Sequence, residues 1–157
     1  MNRLELIEGI RRFLAEDLGS GDLTSESIFP ADQPGKARFI AKGAFVCAGL
    51  GTVAAEVFRL CNPAIECTAI DDGTRVQPGD ALFTAVGPVI DLLRAERVAL
   101  NLVQRLCGIA TLTSRFVDKV MLLPVKIVDT RKTTPGLRML EKYAVRVGGG
   151  HNHRFNL

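Results

Sequence analysis

Two stretches near the end of the sequence concentrate side chains that can bind anions. The first runs from Asp129 to Arg138 and contains Thr130, Arg131 and Lys132 in succession. An arginine fork holds a carboxylate or a phosphate through two parallel hydrogen bonds, and the adjacent lysine adds a point charge. Asp129 could orient one of these cations or hold part of a ligand. On these residues alone, an anion site and a capped loop with surface cations are equally favoured.

The second stretch begins with three glycines, Gly148 to Gly150, which can approach a ligand closely or adopt positive φ. His151, His153 and Arg154 follow. A His-x-His pair can bind a metal ion, but no carboxylate or thiol accompanies this one. Donation to a carboxylate suits His153 and Arg154 better, and His151 receives no role. About one helix and its turns separate the two stretches, so both can line one pocket.

A third polar set lies earlier in the chain, in an otherwise apolar helical pattern: Glu96, Arg97, Asn101 and Arg105. Side chains four residues apart lie on one face of a helix and can form ion pairs in solvent. Surface pairing of this kind is the interpretation that these residues favour by themselves.

Positive charge is concentrated in the same part of the sequence as the first two stretches. Residues 126–157 carry seven Lys or Arg against two acidic residues, although the whole chain has a formal net charge of only +3. This distribution favours an anionic partner, with a solvated helix face as the alternative. The region has few aromatic residues and is rich in Gly and Thr, unlike a stacking platform for nucleic acid. We therefore expect no nucleic-acid partner.

The composition is typical of a globular protein that does not enter a membrane. The 157 residues are 47% hydrophobic and 24% charged, and no window approaches the roughly 18 uncharged apolar residues of a membrane span. The first residues carry acidic side chains where a signal peptide would be apolar. The four cysteines form no Cys-x-x-Cys pair. We therefore expect no membrane association and a cytoplasmic location.

The apolar pattern predicts the elements that must position the polar stretches. Helical spacing covers residues 2–17 and, more briefly, residues 51–60. Strand-like runs bounded by glycine and proline are predicted at 37–41, 45–48, 66–70 and 81–86. A long helical pattern from 89 to 122 lies between two prolines, and Gly108 is predicted to divide it into two helices.

The last quarter of the chain has the order of a βα unit. A strand over 125–129, a polar loop, a helix over 136–147 and the glycine run follow one another. A complete (β/α) barrel takes roughly 250 residues. The sequence therefore predicts an α+β N-terminal sandwich domain over 1–108, followed by the beginning of an α/β barrel domain over 109–157. On this interpretation the chain is a fragment with an incomplete barrel.

Five segments, which follow one another along almost the whole chain, carry recognisable motifs: Glu16–Thr24, Ala95–Thr111, Asp129–Arg138, Lys142–Arg146 and Gly148–Arg154. Together they resemble the N-terminal portion of the quinolinate phosphoribosyltransferases, also called carboxylating nicotinate-nucleotide pyrophosphorylases. The resemblance implies that quinolinate and phosphoribosyl pyrophosphate react, with Mg²⁺, to nicotinate mononucleotide, pyrophosphate and carbon dioxide. This reaction belongs to NAD biosynthesis.

The resemblance also implies a substrate site made of cations and one hydroxyl: Arg97, Thr130, Arg131, Lys132, His153 and Arg154. Lys132 lies beside the carboxylate-binding residues and is the candidate catalytic residue. Arg97 resembles an arginine that the family inserts from the neighbouring subunit, which implies a homodimer. Ligands for Mg²⁺ are expected beyond residue 157 or on the substrate. Arg138 and Lys142 have weaker assignments, either structural or facing a phosphate.

Two other functions stay open. A related barrel protein could use the same scaffold for another substrate, although the Arg131–Lys132 and His153–Arg154 pairs favour a dicarboxylate. The chain could instead be a non-catalytic binding or assembly module. In the family interpretation the fragment alone is expected to be inactive, because part of the site would lie outside it.

Overall fold

The computed structural model describes all 157 residues, Met1 to Leu157. It contains five α-helices, five strands and one π-helical turn. In chain order these are α1 (Arg3–Leu18), α2 (Leu23–Ile28), β1 (Pro34–Ile40), β2 (Phe45–Val46), the π-helical turn (Leu50–Ala54), α3 (Ala55–Cys61), β3 (Glu66–Ala69), β4 (Arg75–Val76), β5 (Ala81–Pro88), α4 (Val89–Val120) and α5 (Arg138–Val147). The α+β class predicted from the sequence is confirmed.

Helix α1 confirms the helix predicted over residues 2–17. Its side chains Leu6, Ile10 and Leu14 recur every four residues and are buried on one face. Asn2 caps the helix, since its side-chain oxygen accepts a hydrogen bond from the Leu4 amide at 3.1 Å. The apolar face of α1 packs against α3 and α4.

Two small antiparallel sheets lie beside the helices. β5 runs between β1 and β3 in one sheet, and β2 pairs with β4 in the other. Phe39 and Phe83 are cross-strand partners with ring centroids 5.1 Å apart, and Phe58 of α3 lies 5.3 Å from Phe83. The four predicted strands are confirmed with shifts at their ends. β4 is not predicted from the sequence, because two residues are too few for an alternating pattern.

Helix α4 is one continuous helix of 32 residues, so the predicted division at Gly108 is wrong. Gly108 is exposed and costs about 1 kcal/mol relative to alanine inside a helix. On either side of it, Leu106 and Ala110 are buried in the core. Burial of one leucine side chain contributes about 1.5–3 kcal/mol, which exceeds the cost of the glycine. α4 therefore runs unbroken from the sheets to α5 and contacts both.

The strand predicted over residues 125–129 is wrong. Only Val128 pairs, through a single parallel bridge to His151, with the Asp129 amide donating to the His151 carbonyl at 3.0 Å. A strand needs a longer hydrogen-bonded ladder, and Val125 and Val128 are about half exposed rather than buried between neighbours. The beginning of a barrel therefore remains a prediction. None of the helices is both long and apolar enough to cross a membrane.

Candidate functional site

Asp129 is the hydrogen-bonding centre of the two predicted anion-binding stretches. Its Oδ1 accepts the backbone amide of His153 at 2.7 Å, and its Oδ2 accepts the side-chain amide of Asn152 at 2.6 Å. Oδ1 also pairs with the ammonium of Lys142. The stretch around Asp129 and the stretch around His153 therefore lie side by side, and the pocket that both are predicted to line stays a prediction. Asp129 orients Lys142, not Arg131 or Lys132.

Lys142 is fully buried, and its carboxylate partner Asp129 is almost so. The ammonium lies 4.9 Å from the centroid of the Phe155 ring, and the Lys142 carbonyl accepts Asn152 Nδ2 at 2.8 Å. A buried charge needs a partner. The Asp129 carboxylate is the partner of this ammonium, and the face of the Phe155 ring adds a second favourable contact. Sequence reasoning underestimated Lys142, because nothing in its local pattern distinguishes it from an exposed lysine of an amphipathic helix.

The loop that follows Asp129 presents the predicted cations. Thr130 and Lys132 are exposed, and the Thr130 hydroxyl accepts the Lys132 amide at 3.1 Å. Arg131 is half-buried, and its Nε is buried without a hydrogen-bond partner. A buried donor that lacks a partner costs about 1–3 kcal/mol. An anion bound beside Arg131 would remove this cost.

Arg138 ties the two stretches together. Its Nε donates to the Thr133 hydroxyl at 3.1 Å, and its Nη1 donates to the Phe155 carbonyl at 3.0 Å. Nη2 lies 3.4 Å from the Arg131 carbonyl oxygen. With its guanidinium engaged in this way, Arg138 acts as a structural clamp. A cleft of about 650 Å³ opens beside it, and its lining includes Thr133, Thr134, Arg138, Tyr143, Asn152 and Phe155.

The glycine run packs against α4. A Cβ at Gly148 would lie 2.8 Å from Cβ of Thr113, and one at Gly150 would lie 2.9 Å from Cγ2 of the same residue. Both glycines are buried. Gly149 has φ +87°, the positive φ that the sequence allowed. Gly148 and Gly150 therefore lie close against α4, which fixes where the following His151–Arg154 segment begins.

The two arginines of the predicted polar set, Arg97 and Arg105, have different surroundings in α4. Arg105 lies at the edge of the site, where its Nε donates to Glu141 at 2.9 Å and its Nη2 donates to the Thr134 hydroxyl at 2.5 Å. These partners belong to α5 and the loop before it, so the expected i,i+4 pairing within α4 is wrong. Arg97 is exposed and makes no hydrogen bond or ion pair. It lies eight residues, or about 12 Å along the helix, from Arg105.

The electrostatics around Glu141 favour its charged form. Burial acts to raise the pKa of this carboxyl, but hydrogen bonds from Arg105 and Thr134 outweigh it and hold the pKa below its usual range. Glu141 thereby anchors the start of α5 beside the site.

Five of the six predicted site residues lie on two adjacent segments of the fold: Thr130, Arg131, Lys132, His153 and Arg154. The sixth, Arg97, lies apart from them on α4.

Two consecutive parts of one protein family match the chain. The family described as Quinolinate phosphoribosyl transferase, N-terminal domain, matches residues 22–107. The family described as Quinolinate phosphoribosyl transferase, C-terminal domain, matches residues 109–157. The first match covers more than half of the chain, and the two meet inside α4 on either side of Gly108.

Individual relatives show the same similarity. A probable carboxylating nicotinate-nucleotide pyrophosphorylase from Bacillus subtilis is 48% identical over 158 residues, which cover 100% of this chain and 54% of that protein. A decarboxylating quinolinate phosphoribosyltransferase from Nicotiana tabacum is 40% identical, covering 94% and 42%. The crystal structure of NadC from Streptococcus pyogenes has a TM-score of 0.94 at 42% identity, covering 100% and 57%. The chain thus spans about half the length of these relatives.

Proposed function

The chain belongs to the quinolinate phosphoribosyltransferase family, and from this premise we propose that it serves in phosphoribosyl transfer to quinolinate. The proposed reaction joins quinolinate to phosphoribosyl pyrophosphate and yields nicotinate mononucleotide, pyrophosphate and carbon dioxide in NAD biosynthesis. Because the chain spans about half the length of its relatives, the activity is proposed for the full-length protein. The 157 residues alone are proposed to be inactive.

The observation that carries this proposal is that Asp129 joins two segments that carry the predicted cations. One carboxylate aligns the Arg131 loop with the segment that carries His153 and Arg154. The buried, unpartnered Nε of Arg131 supports an anionic ligand at this point. A pyridine dicarboxylate has two negative groups, so it suits a site with cations on two facing segments.

The proposed chemistry explains the need for many cations. Two ring carboxylates, a 5′-phosphate and a pyrophosphate repel one another, so fixed positive charges are needed to hold both substrates in contact. In our proposal Arg131, His153 and Arg154 bind the ring carboxylates, and Thr130 offers a hydroxyl partner. Lys132 reaches the phosphates and stabilises the negative charge that develops on the departing pyrophosphate.

Mg²⁺ is proposed as part of the reaction, yet this chain offers it no obvious site. No group of three or more His, Cys, Asp or Glu side chains could hold a metal ion. We therefore assign no step to the ion here. In our proposal it accompanies the diphosphate of the second substrate or is held by ligands that lie outside these residues.

We also propose that Arg97 completes the site of a second copy in a homodimer. Its exposure and lack of partners support this role. Mixed dimers of an Arg97→Ala chain with an Arg131→Ala chain provide the test. If the arginine is shared, one of the two sites in each mixed dimer regains both residues, and activity returns to a fraction of the unaltered level. Complete inactivity of the mixture would argue against sharing.

The main proposal is tested by titration calorimetry of the full-length protein with quinolinate and, separately, with nicotinate. We expect heat with quinolinate and much weaker binding of nicotinate, which lacks one carboxylate. Equal binding of the two would indicate a related barrel protein with another substrate. Binding of neither would favour a non-catalytic module and overturn the proposal.

Two further proposals concern the domain division and the location of the protein. We propose a division at 108/109 with a barrel beginning at 109; support for the division comes from the two family matches, which end at 107 and begin at 109. We also propose a cytoplasmic location, for which the four free cysteines are suited to a reducing compartment. A structure of the full-length protein tests the first proposal, and cell fractionation tests the second.

A further inference from the structure

A cluster of four residues joins α5 to the sheet end of the molecule. The Tyr143 hydroxyl donates to Oδ2 of Asp72, which lies between β3 and β4. Oδ1 of Asp72 accepts the Gly49 amide at 2.8 Å, and the Thr52 hydroxyl oxygen is 3.2 Å from that of Tyr143. We call Tyr143, Asp72, Gly49 and Thr52 the α5 tether. None of them belongs to the anion-binding stretches.

The tether is itself held firmly in place. Gly49 has φ +84°, and a Cβ there would lie 2.6 Å from Cδ1 of Leu106, so only glycine fits this turn. Both carboxylate oxygens of Asp72 are used, one by the turn and one by α5. Burial and the hydrogen bond to Asp72 raise the pKa of Tyr143 to about 12. The hydroxyl therefore stays a donor at neutral pH.

Three consecutive residues of α5 bond in three directions. Glu141 accepts hydrogen bonds from α4 and from the loop before α5. Lys142 pairs with Asp129, and Tyr143 bonds to Asp72. An α-helix has 3.6 residues per turn, so neighbouring side chains point about 100° apart. Three bonds in three directions set the rotation of α5 about its own axis.

We propose that Tyr143 and Asp72 are positioning residues of the dicarboxylate site, which makes this inference rest on the proposed function. They hold α5 in the rotation at which Lys142 meets Asp129. The same Asp129 oxygen accepts the His153 amide, so a turn of α5 displaces the segment that carries His153. Neither Tyr143 nor Asp72 touches the substrate in this proposal.

The test compares quinolinate and nicotinate affinities in the full-length protein and its variants. Tyr143→Phe removes only the donor, and Asp72→Ala removes the acceptor. For each we expect quinolinate binding to weaken roughly five- to tenfold, which is less than the loss of a whole hydrogen bond to a charged group, because neither residue contacts the substrate. Nicotinate has only one carboxylate, so its binding should weaken less. The ratio of quinolinate affinity to nicotinate affinity, called the affinity ratio below, should therefore fall. Asp72→Asn should restore much of the ratio, since its amide can still bond to Gly49 and Tyr143.

A matched control is Asp118→Asn. It removes an exposed pair, because both Asp118 oxygens accept from Nη2 of Arg75 at 2.8 and 2.7 Å. This pair also joins distant elements, β4 and α4, but it contacts none of the site residues. We expect Asp118→Asn to leave the affinity ratio unchanged. Hydrogen exchange at the His153 amide gives a readout without substrate, and exchange should be faster in Tyr143→Phe than in the control.

The affinity ratio decides the outcome. A lower ratio in Tyr143→Phe and Asp72→Ala, with partial rescue by Asp72→Asn, supports positioning. Loss of both affinities by the same factor, or no loss at all, would overturn it while leaving the proposed function intact. Failure of the unaltered protein to bind quinolinate would instead remove the proposed function, and this inference with it.

Discussion

At the sheet end, Phe39, Phe58 and Phe83 pack ring against ring, whereas at the α5 end Lys142 and Asp129 are buried as an ion pair. Apolar packing is not directional, so a core can adjust to a substitution of similar volume. An ion pair in a buried environment cannot adjust, because removing one partner leaves an uncompensated charge. The same protein therefore combines a tolerant region with an intolerant one, and the candidate site lies in the intolerant one.

Lys142→Met should lower the free energy of unfolding more than the other substitutions below. It leaves Asp129 buried without its cation, for which we expect a loss of about 3–5 kcal/mol in the free energy of unfolding. Leu50→Met, a substitution of similar volume at a fully buried residue of the apolar core, should cost less than about 1.5 kcal/mol after repacking. Denaturant unfolding of both variants measures the difference. Equal losses would remove the contrast between the two regions.

Arg131→Ala tests the polar region through ligand binding instead of through stability. Loss of one partner of a desolvated charged hydrogen bond should weaken quinolinate binding by about 2–5 kcal/mol. The unfolding temperature should change little, since Arg131 has no side-chain partner at its buried Nε. Lys126→Ala provides the control, as an exposed cation on the same segment. Unchanged affinity in Arg131→Ala would count against the site.

Alanine substitutions at two glycines, one inside α4 and one packed against it, should change stability in opposite directions. A Cβ at Gly148 meets the side chain of Thr113, so Gly148→Ala should destabilise the protein by about 1–3 kcal/mol. A Cβ at Gly108 meets nothing within 4 Å, and alanine there should stabilise α4 by about 0.5–1 kcal/mol. Thermal unfolding measures both changes. A destabilising Gly108→Ala would show that α4 needs flexibility at that residue.

The last effect is absent at neutral pH and appears only in alkaline solution. The pKa of Tyr143 is about 12 in the folded protein and about 10 in an unfolded chain. Its contribution to stability is therefore complete below about pH 10 and is lost as the pH rises toward 12. Tyr143 is the only tyrosine and the chain has no tryptophan, so tyrosinate absorbance reports this residue alone. Tyr143→Phe should lack this part of the alkaline loss, and an identical pH profile would contradict the assignment.

Sequence reasoning succeeded where a signal was local and periodic. The apolar spacing of α1 predicted its buried face, and alternating runs bounded by Gly and Pro predicted four strands. The Asp129 and His153 stretches, predicted to line one pocket, are adjacent in the fold, while the pocket itself stays a prediction. The break at Gly108 was wrong, because a local propensity of about 1 kcal/mol was outweighed by burial of the helix on its other faces.

The α+β class, the concentration of cations in residues 126–157 and the family of the chain could all be inferred from the sequence. The pairing of Asp129 with Lys142, of Arg105 with Glu141 and of Tyr143 with Asp72 became visible only in the folded chain. The two kinds of interaction differ in how far apart their residues lie in the sequence. Helical and strand patterns arise between residues a few positions apart, whereas a buried polar bond forms between residues that folding brings together, and no local pattern specifies its partner.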